Sequence, residues 1–189
     1  KLGSIKNNYF IFVGNVREYK GLPFLIDAFK KIKCNLCLVL SGDKRKKFQG
    51  FLKNIKNIKL FYSVSESEKM YLIKNSLGLI LPSIDRREAF GIVLLEGASQ
   101  KKPLLTTNIK TGTSYININK KTGFVLKPRD SGEIIKYCNI LLNDKKLRKK
   151  MGNAAFNRYK RLFTKEIMIK NYAYALQMSR EAFRARIRI

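Results

Sequence analysis

The chain contains no histidine and no tryptophan, and its acidic residues are scarce: 13 Asp and Glu stand against 40 Lys and Arg in 189 residues. The absence of histidine removes the commonest general base of enzyme active sites. If the chain takes part in a reaction that needs a histidine, that residue must come from elsewhere. The scarcity of acids leaves a formal net charge of +27, which demands an explanation of its own.

Three explanations of the positive charge compete. Nucleic acid and an anionic membrane surface are both partners that attract a strongly basic protein. The abundance of Lys, Asn and Ile also fits AT-rich coding, although drift toward lysine does not account for the missing acids. The basic residues cluster at 44–59, 145–165 and 180–189, and aromatic side chains do not alternate with them as in a base-stacking surface. This distribution favours a membrane surface over nucleic acid.

Long apolar runs and a signal peptide are also missing. No apolar run approaches about 18 residues, the length of a membrane span. Residues 1–10 lack the basic, apolar and small-residue regions of a secretory signal. The chain begins with Lys rather than Met, so we expect a fragment of a longer protein. We expect that protein to be located in the cytoplasm.

Cysteine is rare, with three residues in the chain. Cys34 and Cys37 form a C-x-x-C pair, a spacing that also occurs in redox and metal sites. The chain has no second pair of this kind and no histidine to complete a zinc site, and the pair runs into the strand-like segment 36–40. We therefore expect small buried thiols, whose odd number fits a reducing cytosol.

Short apolar runs alternate with segments of helical periodicity along the chain. Strands are predicted at 9–13, 36–40, 58–61, 77–81, 103–106 and 123–126. Helices are predicted at 22–32, 44–54, 66–75, from 90 or 91 to about 100, 131–142, 144–161 and 165–179. This alternation predicts an α/β fold in which a doubly wound, Rossmann-like parallel sheet of about six strands carries helices on both faces.

We expect residues 1–179 to form one domain, followed by a basic segment at 180–189. That segment holds Arg180, Arg184 and Arg188 at four-residue spacing. The sequence is compatible with either a helical extension or a frayed basic tail.

The segment EAFGIVLLE places Glu88 and Glu96 eight positions apart. Residues at this spacing return to one face of a helix, so the bare pair also fits a solvated stripe. The aliphatic residues around Glu96 argue against that, because a carboxylate among apolar side chains needs a partner or a polar ligand. The segment follows a predicted strand and therefore lies where open α/β sheets bind ligands. The first N–H groups of its helix, from Phe90, Gly91 and Ile92, would face an anion or a sugar oxygen.

The loop after the first strand, GNVREYKG at 14–21, has two glycines and two cations before a helix, which suits a phosphate group. It is not a Walker loop, since no Ser or Thr follows Lys20, and it is not a dinucleotide-binding G-x-G-x-x-G. By itself it is more simply a solvated turn. A doubly wound sheet brings it to the same edge as the acidic segment, and cations beside two carboxylates then suit the diphosphate and the hydroxyls of a nucleotide sugar.

With these motifs in this order, the chain resembles the C-terminal, donor-binding domain of the retaining GT-B glycosyltransferases of family 4. The matching segments are FVGNVREYKG with the following LIDAF (12–29), FYSVSESE (61–68), LPSIDRREAFGIVLLEGAS (81–99), KPLLTTNIKTGTSYI (102–116), TGFVLKPRD (122–130) and KKMGNAAFNRY (149–159). DRREAFGIVLLE and TGTSY are similar to bacterial members that add mannose or rhamnose to surface polysaccharides. The resemblance implies one half of a GT-B fold, with the acceptor-binding N-terminal domain and its histidine absent from this chain.

The resemblance also implies roles for individual residues. Lys20 and Arg17 would stabilise the leaving diphosphate, and Glu88 would orient the donor sugar as the third residue of a catalytic set. The implied donor-binding residues are Gly14, Asn15, Lys20, Tyr62, Ser63, Val64, Ala89, Phe90, Gly91, Ile92, Val93 and Glu96. Asn15 stands where the family often has arginine. The resemblance implies neither a cofactor nor a metal, only a GDP- or UDP-linked sugar donor.

The implied function is donor binding for a retaining enzyme that moves a hexose to a glycan or lipid-linked acceptor in bacterial surface polysaccharide synthesis. We expect the chain alone to be inactive, because the acceptor-binding domain is missing. Lipid-linked acceptors and the basic helices at 44–54 and 145–161 imply a peripheral position on the inner face of the cytoplasmic membrane. Two alternatives stay open: a non-catalytic nucleotide-binding or regulatory domain on the same fold, or a basic nucleic-acid-binding protein.

Overall fold

A computed structural model describes residues 8–41, 52 and 55–187, with side chains up to residue 181. Six strands form one sheet: β1 (Tyr9–Asn15), β2 (Asn35–Ser41), β3 (Ile58–Tyr62), β4 (Leu79–Leu81), β5 (Leu104–Thr107) and β6 (Gly123–Leu126). Their spatial order is β3-β2-β1-β4-β5-β6, and every neighbouring pair is parallel. The predicted doubly wound α/β fold is confirmed. The strand order reverses between β1 and β4, which is where such sheets bind ligands.

The described helices are α1 (Leu22–Phe29), α2 (Glu66–Asn75), α3 (Ile92–Ser99), α4 (Gly112–Ile116), α5 (Ser131–Asn143), α6 (Lys145–Leu162) and α7 (Lys165–Ile187), with a 3₁₀ turn at Glu18–Lys20. Six of the seven predicted helices are present. The seventh, at 44–54, lies outside the described residues except at Leu52, which is in a turn. Residues 180–187 continue α7 as a helical extension. No helix of the described residues is both long enough and apolar enough to cross a membrane.

The first residues of β4 and β5 differ slightly from the prediction, and Pro103 explains the difference. Proline has no N–H to donate to a strand ladder. The pairing of β4 with β5 therefore starts with Leu79 opposite Leu104. The preceding Leu77 donates instead to the carbonyl of Tyr9, with 2.7 Å between nitrogen and oxygen.

The core lies on both faces of the sheet, as the continuous apolar strands predict. Phe10 and Phe12 on β1 and Leu38 on β2 are fully buried, and the ring of Phe10 meets that of Phe29 edge to face. The three cysteines are buried and unbridged, which confirms the interpretation of the C-x-x-C pair as packing residues.

Local sequence signals place the helices beside the sheet as predicted. Ser65 accepts a hydrogen bond from the N–H of Glu68, and the Glu68 carboxylate accepts one from the N–H of Ser65, which makes a capping box at the start of α2. Pro23 occupies the first turn of α1, where no N–H is required. Pro23 and the capping box mark where α1 and α2 begin after the ends of β1 and β3. The first turns of both helices therefore lie at the edge of the sheet where a ligand is expected.

Candidate functional site

A cavity of about 440 Å³ opens at the edge of the sheet where β1 and β4 end. Its lining consists of Val13, Gly14, Lys20, Lys69, Arg87, Glu88, Ala89, Phe90, Gly91, Ile92, Val93 and Glu96. The loop after β1 and the acidic segment after β4 therefore meet in one site, as the topology predicts. The two glutamates singled out in the sequence both belong to the lining.

Glu88 and Lys20 form an ion pair inside the cavity, with 2.5 Å between Nζ of Lys20 and Oε2 of Glu88. Glu88 is 7% exposed. The hydroxyl of buried Ser83 donates to the same oxygen of Glu88 at 3.0 Å. Two donors on one carboxylate oxygen fix the orientation of Glu88 and hold it beside the one lysine of the first loop.

Backbone contacts hold the two loops together and so bring Lys20 to Glu88. Gly21 has φ +68°, and a Cβ built on it would lie 2.0 Å from the carbonyl oxygen of Pro82. The N–H of Ile84 donates to the carbonyl of Tyr19 at 2.8 Å. Only glycine allows this close approach of the first loop to the segment after β4.

Gly91 makes the turn into α3. Its φ is +80°, and a Cβ there would lie 2.8 Å from Cδ2 of Leu81. Helix α3 begins at Ile92 with no side-chain cap from any described residue. The first N–H groups of α3 are thus presented at the cavity, where the helix dipole favours an anion.

The short helix α4 supports the loop 88–91 from outside. The N–H of Gly112 donates to the carbonyl of Ala89 at 2.9 Å, and a Cβ on Gly112 would lie 2.5 Å from Cδ2 of Phe90. The ring of Phe90 also meets that of Phe163, which follows α6, with 6.3 Å between centroids. This loop is therefore packed on its outer side as well as on its cavity side.

Glu96 lies on α3, at the other end of the cavity, where it pairs with Lys69 of α2. The distance from Nζ of Lys69 to Oε1 of Glu96 is 3.0 Å, and Lys69 also contacts Glu66 at 2.8 Å. Desolvation lowers the pKa of Lys69, but the hydrogen bonds that its ammonium donates to both carboxylates outweigh this effect, so that the pKa of Lys69 is raised overall. The second oxygen of Glu96, Oε2, is buried and has no hydrogen-bond partner among the described residues.

Arg87 is a further cation of the lining. Its Nε and Nη2 atoms bind both oxygens of Asp85, the shortest contact being 2.7 Å, and its guanidinium lies 5.4 Å from the ring centre of Tyr19. The hydrogen bonds from Arg87 lower the pKa of Asp85 to about 2. Arg87 is thus held in place at the mouth of the cavity.

The structure gathers most of the predicted site residues into the cavity but not all. Gly14, Lys20, Glu96 and the continuous run 88–93 line it. Outside the lining lie Asn15, Arg17, Tyr62, Ser63 and Val64. Arg17 is exposed before the 3₁₀ turn, and Asn15 ends β1 with a buried Oδ1 that has no partner among the described residues. Ser63 has φ +53° in the turn after β3.

Three residues that the sequence patterns do not indicate also line the cavity: Val13, Lys69 and Arg87. Arg87 stands next to Glu88 in the chain, so the DRRE segment contained a signal that was available. Lys69 carries no such signal, because a lysine one turn into a capped helix is ordinarily solvated. Only the packing of α2 against α3 shows that this lysine faces the cavity.

The cavity combines two ammonium–carboxylate pairs with the uncapped start of a helix. Lys20 and the N–H groups of Ile92 and Val93 suit an anionic group. Glu88 and Glu96 suit hydroxyl groups, which donate to carboxylates. In the part of the chain that the structure describes, no three His, Cys, Asp or Glu side chains lie close enough together to hold a metal ion.

The fold is that of the GT-B glycosyltransferases, of which this chain forms one half. Sucrose-phosphate synthase from Thermosynechococcus elongatus superposes with a TM-score of 0.84 at 19% identity, over 96% of this chain and 47% of that protein. Anabaena HepE in complex with UDP-glucose gives 0.79 at 20% identity, over 94% and 50%. The C-terminal domain of the group 1 glycosyl transferase LpcC from Francisella tularensis gives 0.68 at 22% identity, over 83% and 87%.

Residues 2–158 match the family of glycosyl transferases group 1, and the chain belongs to this family. The O-antigen chain mannosyltransferase C of Escherichia coli is 34% identical over 173 residues, which are 89% of this chain and 46% of that protein. The D-rhamnosyltransferase WbpZ of Pseudomonas aeruginosa is 36% identical over 158 residues, which are 82% and 42%. The chain thus spans about half the length of these relatives.

Proposed function

We propose that this chain binds the nucleotide-sugar donor of a glycosyltransferase that moves a hexose to a glycan or lipid-linked acceptor of a bacterial surface polysaccharide. The observation that carries the proposal is the cavity at the reversal of strand order, where Lys20, Glu88 and Glu96 lie together. Two relatives named as mannosyl- and rhamnosyltransferases support the substrate class. The complex of HepE with UDP-glucose supports a nucleoside diphosphate sugar as the ligand.

In the proposal, the lining residues assign each part of the donor a place in the cavity. The diphosphate lies against Lys20 and the N–H groups at the start of α3, because these are the donors suited to phosphate oxygens. Glu96 accepts hydrogen bonds from the ribose, since its Oε2 is a buried acceptor in need of a donor. Glu88 faces the sugar. The turn at 62–64, at the end of β3, then contacts the base.

In the reaction, the bond between the anomeric carbon and the diphosphate oxygen breaks and a bond to the acceptor oxygen forms with retained configuration. Negative charge grows on the departing nucleoside diphosphate. Lys20 and the N–H groups of Ile92 and Val93 stabilise that charge. Such stabilisation by fixed hydrogen-bond donors is usually the largest single contribution to the rate of an enzyme reaction. The acceptor and the group that receives its proton come from the second half of the enzyme, so this half alone binds donor without transferring the sugar.

Calorimetric titration with GDP, UDP and dTDP tests the proposal, with Glu96→Ala measured beside the unaltered chain. Selective binding of one nucleotide that is weakened about tenfold or more in Glu96→Ala supports it. The mannosyl and rhamnosyl relatives favour GDP, and the HepE complex favours UDP. Binding of none of the three would contradict the proposal and leave a regulatory use of the fold or nucleic-acid binding as explanations.

In this proposal, hydrogen-bond donors of the protein compensate the negative charge of the diphosphate, and no metal ion is needed. Lys20 is the basis of this assignment, since its ammonium lies in the cavity beside the start of α3. Nucleotide affinity measured with EDTA should therefore equal that measured with Mg²⁺. A tenfold gain in affinity on adding Mg²⁺ would contradict this part of the proposal.

We also propose that an anionic membrane surface is a partner of the protein. Helix α6 carries exposed lysines on its first two turns: Lys145, Lys146, Lys149 and Lys150. Each cation near an anionic bilayer contributes about 1 kcal/mol, an attraction that falls off within a Debye length. Sedimentation with vesicles should increase with the fraction of anionic lipid and decrease with salt. Charge reversal of Lys149 and Lys150 together should weaken it, and sedimentation independent of anionic lipid would exclude this partner.

A further inference from the structure

Lys69 is a cation of the cavity to which the donor orientation described above gives no role. We infer that Lys69 binds a ribose hydroxyl jointly with Glu96, so that the two residues form a clamp which distinguishes ribonucleotides from their deoxy analogues. The inference rests on the proposed function, because it concerns the same nucleotide.

The side chain of Lys69 points into the cavity rather than into solvent. Its side chain is 14% exposed, whereas that of its second partner, Glu66, is 86% exposed. Its Nζ lies 3.0 Å from Oε1 of Glu96, and both residues line the cavity. The ammonium group is therefore fixed on the inner side of α2, beside the unpartnered Oε2 of Glu96.

The charge of this cluster favours a hydroxyl over a phosphate. Lys69 contributes one positive charge, and Glu66 and Glu96 contribute two negative charges within 3.0 Å of it. A phosphate would meet a net negative charge here. Elsewhere in the cavity, the ammonium of Lys20 and the N–H groups at the start of α3 offer it hydrogen-bond donors. A neutral hydroxyl meets no such repulsion, so the Lys69 end of the cavity is the ribose end.

The hydrogen-bonding capacities of the two residues match those of a sugar hydroxyl. An ammonium has three donors, of which Glu66 and Glu96 use two. The third can donate to the oxygen of a hydroxyl, while the proton of that hydroxyl goes to Oε2 of Glu96. A nucleotide without that hydroxyl leaves a charged donor and a buried carboxylate oxygen unsatisfied, which is a strong basis for discrimination.

Affinity measurements with pairs of nucleotides test this clamp. Whichever of GDP and UDP binds more tightly is titrated together with its 2′-deoxy and 3′-deoxy analogues into the unaltered chain and into Lys69→Met. We expect the unaltered chain to prefer the ribonucleotide by about tenfold or more over at least one analogue. Lys69→Met should bind the ribonucleotide about tenfold more weakly, with little change for that analogue, so the preference disappears.

Two further variants separate this role from a general loss of structure. Lys69→Gln, which keeps a polar side chain without the charge, should lose the preference in the same way. Lys74→Met removes an exposed lysine from the last turn of the same helix and should keep both affinity and preference. Thermal unfolding with and without ligand verifies that each variant is folded.

The outcomes for the clamp and for the proposed function are distinct. If the unaltered chain binds no nucleotide, the proposed function fails and the clamp with it. If the chain binds nucleotides but Lys69→Met and Lys69→Gln keep the preference for ribose, the clamp is refuted while donor binding stands. Equal affinity of the unaltered chain for the ribonucleotide and both deoxy analogues refutes it as well.

Discussion

Lys20 and Glu88 are separated by 68 positions in the chain, yet their side chains form an ion pair of 2.5 Å at the edge of the sheet. The pair joins the first loop to the loop after β4, and both side chains are largely withdrawn from solvent. A diphosphate that binds Lys20 must share its ammonium with Glu88. In the proposed function, donor binding and the orientation of Glu88 are therefore coupled through the ammonium nitrogen of Lys20.

Replacing Lys20 by methionine should weaken nucleoside diphosphates much more than nucleosides. The substitution keeps an unbranched side chain, one atom shorter, and removes the charge that is proposed to contact phosphate. We expect a loss of about 10- to 100-fold in affinity for the diphosphate, and less than about threefold for the nucleoside, by calorimetry.

Lys30→Met is a matched control for this substitution. Lys30 pairs with Asp27 on the surface, with both side chains more than half exposed. Such surface pairs contribute little, so neither affinity nor stability should change measurably. Equal losses for nucleoside and diphosphate in Lys20→Met would show that Lys20 supports the fold rather than the phosphate contact.

Gly91→Ala should destabilise the chain by roughly 2–4 kcal/mol in urea unfolding. The left-handed backbone at φ +80° disfavours any side chain, and the new Cβ would lie 2.8 Å from Leu81 in the core. Gly132→Ala is the control: that glycine is inside α5, and the nearest atom to its Cβ is a carboxylate oxygen of Asp130 at 3.1 Å. The free energy of unfolding of Gly132→Ala should stay the same or rise by up to about 1 kcal/mol. An unaffected Gly91→Ala would mean that the turn into α3 relaxes without strain.

Much of the fold could be predicted because parallel strands are buried on both faces. Such strands are continuous apolar runs, as in 36–40, and some of the helices beside them, such as α2 and α5, begin at a side-chain cap. Helix α4 escaped prediction because its five residues are too few for a periodic pattern. It forms where Gly112 packs on the loop at Ala89, a contact between distant segments that local sequence does not encode.

A site residue can be predicted from the sequence where its side chain is chemically unlike its neighbours in the chain, and not elsewhere. Glu96 is conspicuous among aliphatic residues, whereas Lys69 is an ordinary helical lysine in sequence. Its place in the cavity depends on how α2 is rotated against α3. Tyr62 is predicted to be a donor-binding residue from the resemblance alone. The structure places it at the end of β3, outside the cavity lining.

Asn117→Ala should destabilise the chain by about 3 kcal/mol, since it opens a buried polar network. The amide of Asn117 donates to the carbonyl oxygens of Leu104 and Phe124 at 3.2 and 2.9 Å, and its oxygen accepts from Thr122 at 2.8 Å. Removal leaves buried groups of β5 and β6 without partners. Asn75→Ala, which removes an exposed amide, should cost less than about 0.5 kcal/mol in the same urea experiment. Equal effects of the two variants would contradict a structural role for the network.

The Asp85–Arg87 pair should be visible in the acid titration of the chain. Because hydrogen bonds from Arg87 lower the pKa of Asp85 from 3.8 to about 2, its contribution to stability is complete above pH 3.8 and is lost as the pH falls through about 2. The stability difference between the unaltered chain and Asp85→Asn should therefore shrink over this interval. NMR titration of the Asp85 carboxyl should give a pKa near 2, which returns toward 3.8 in Arg87→Met. The same titration in Arg86→Met, which leaves Arg87 in place, serves as control. A pKa near 3.8 in the unaltered chain would show that Arg87 is not held at the mouth of the cavity by Asp85 and is free to reach a bound anion.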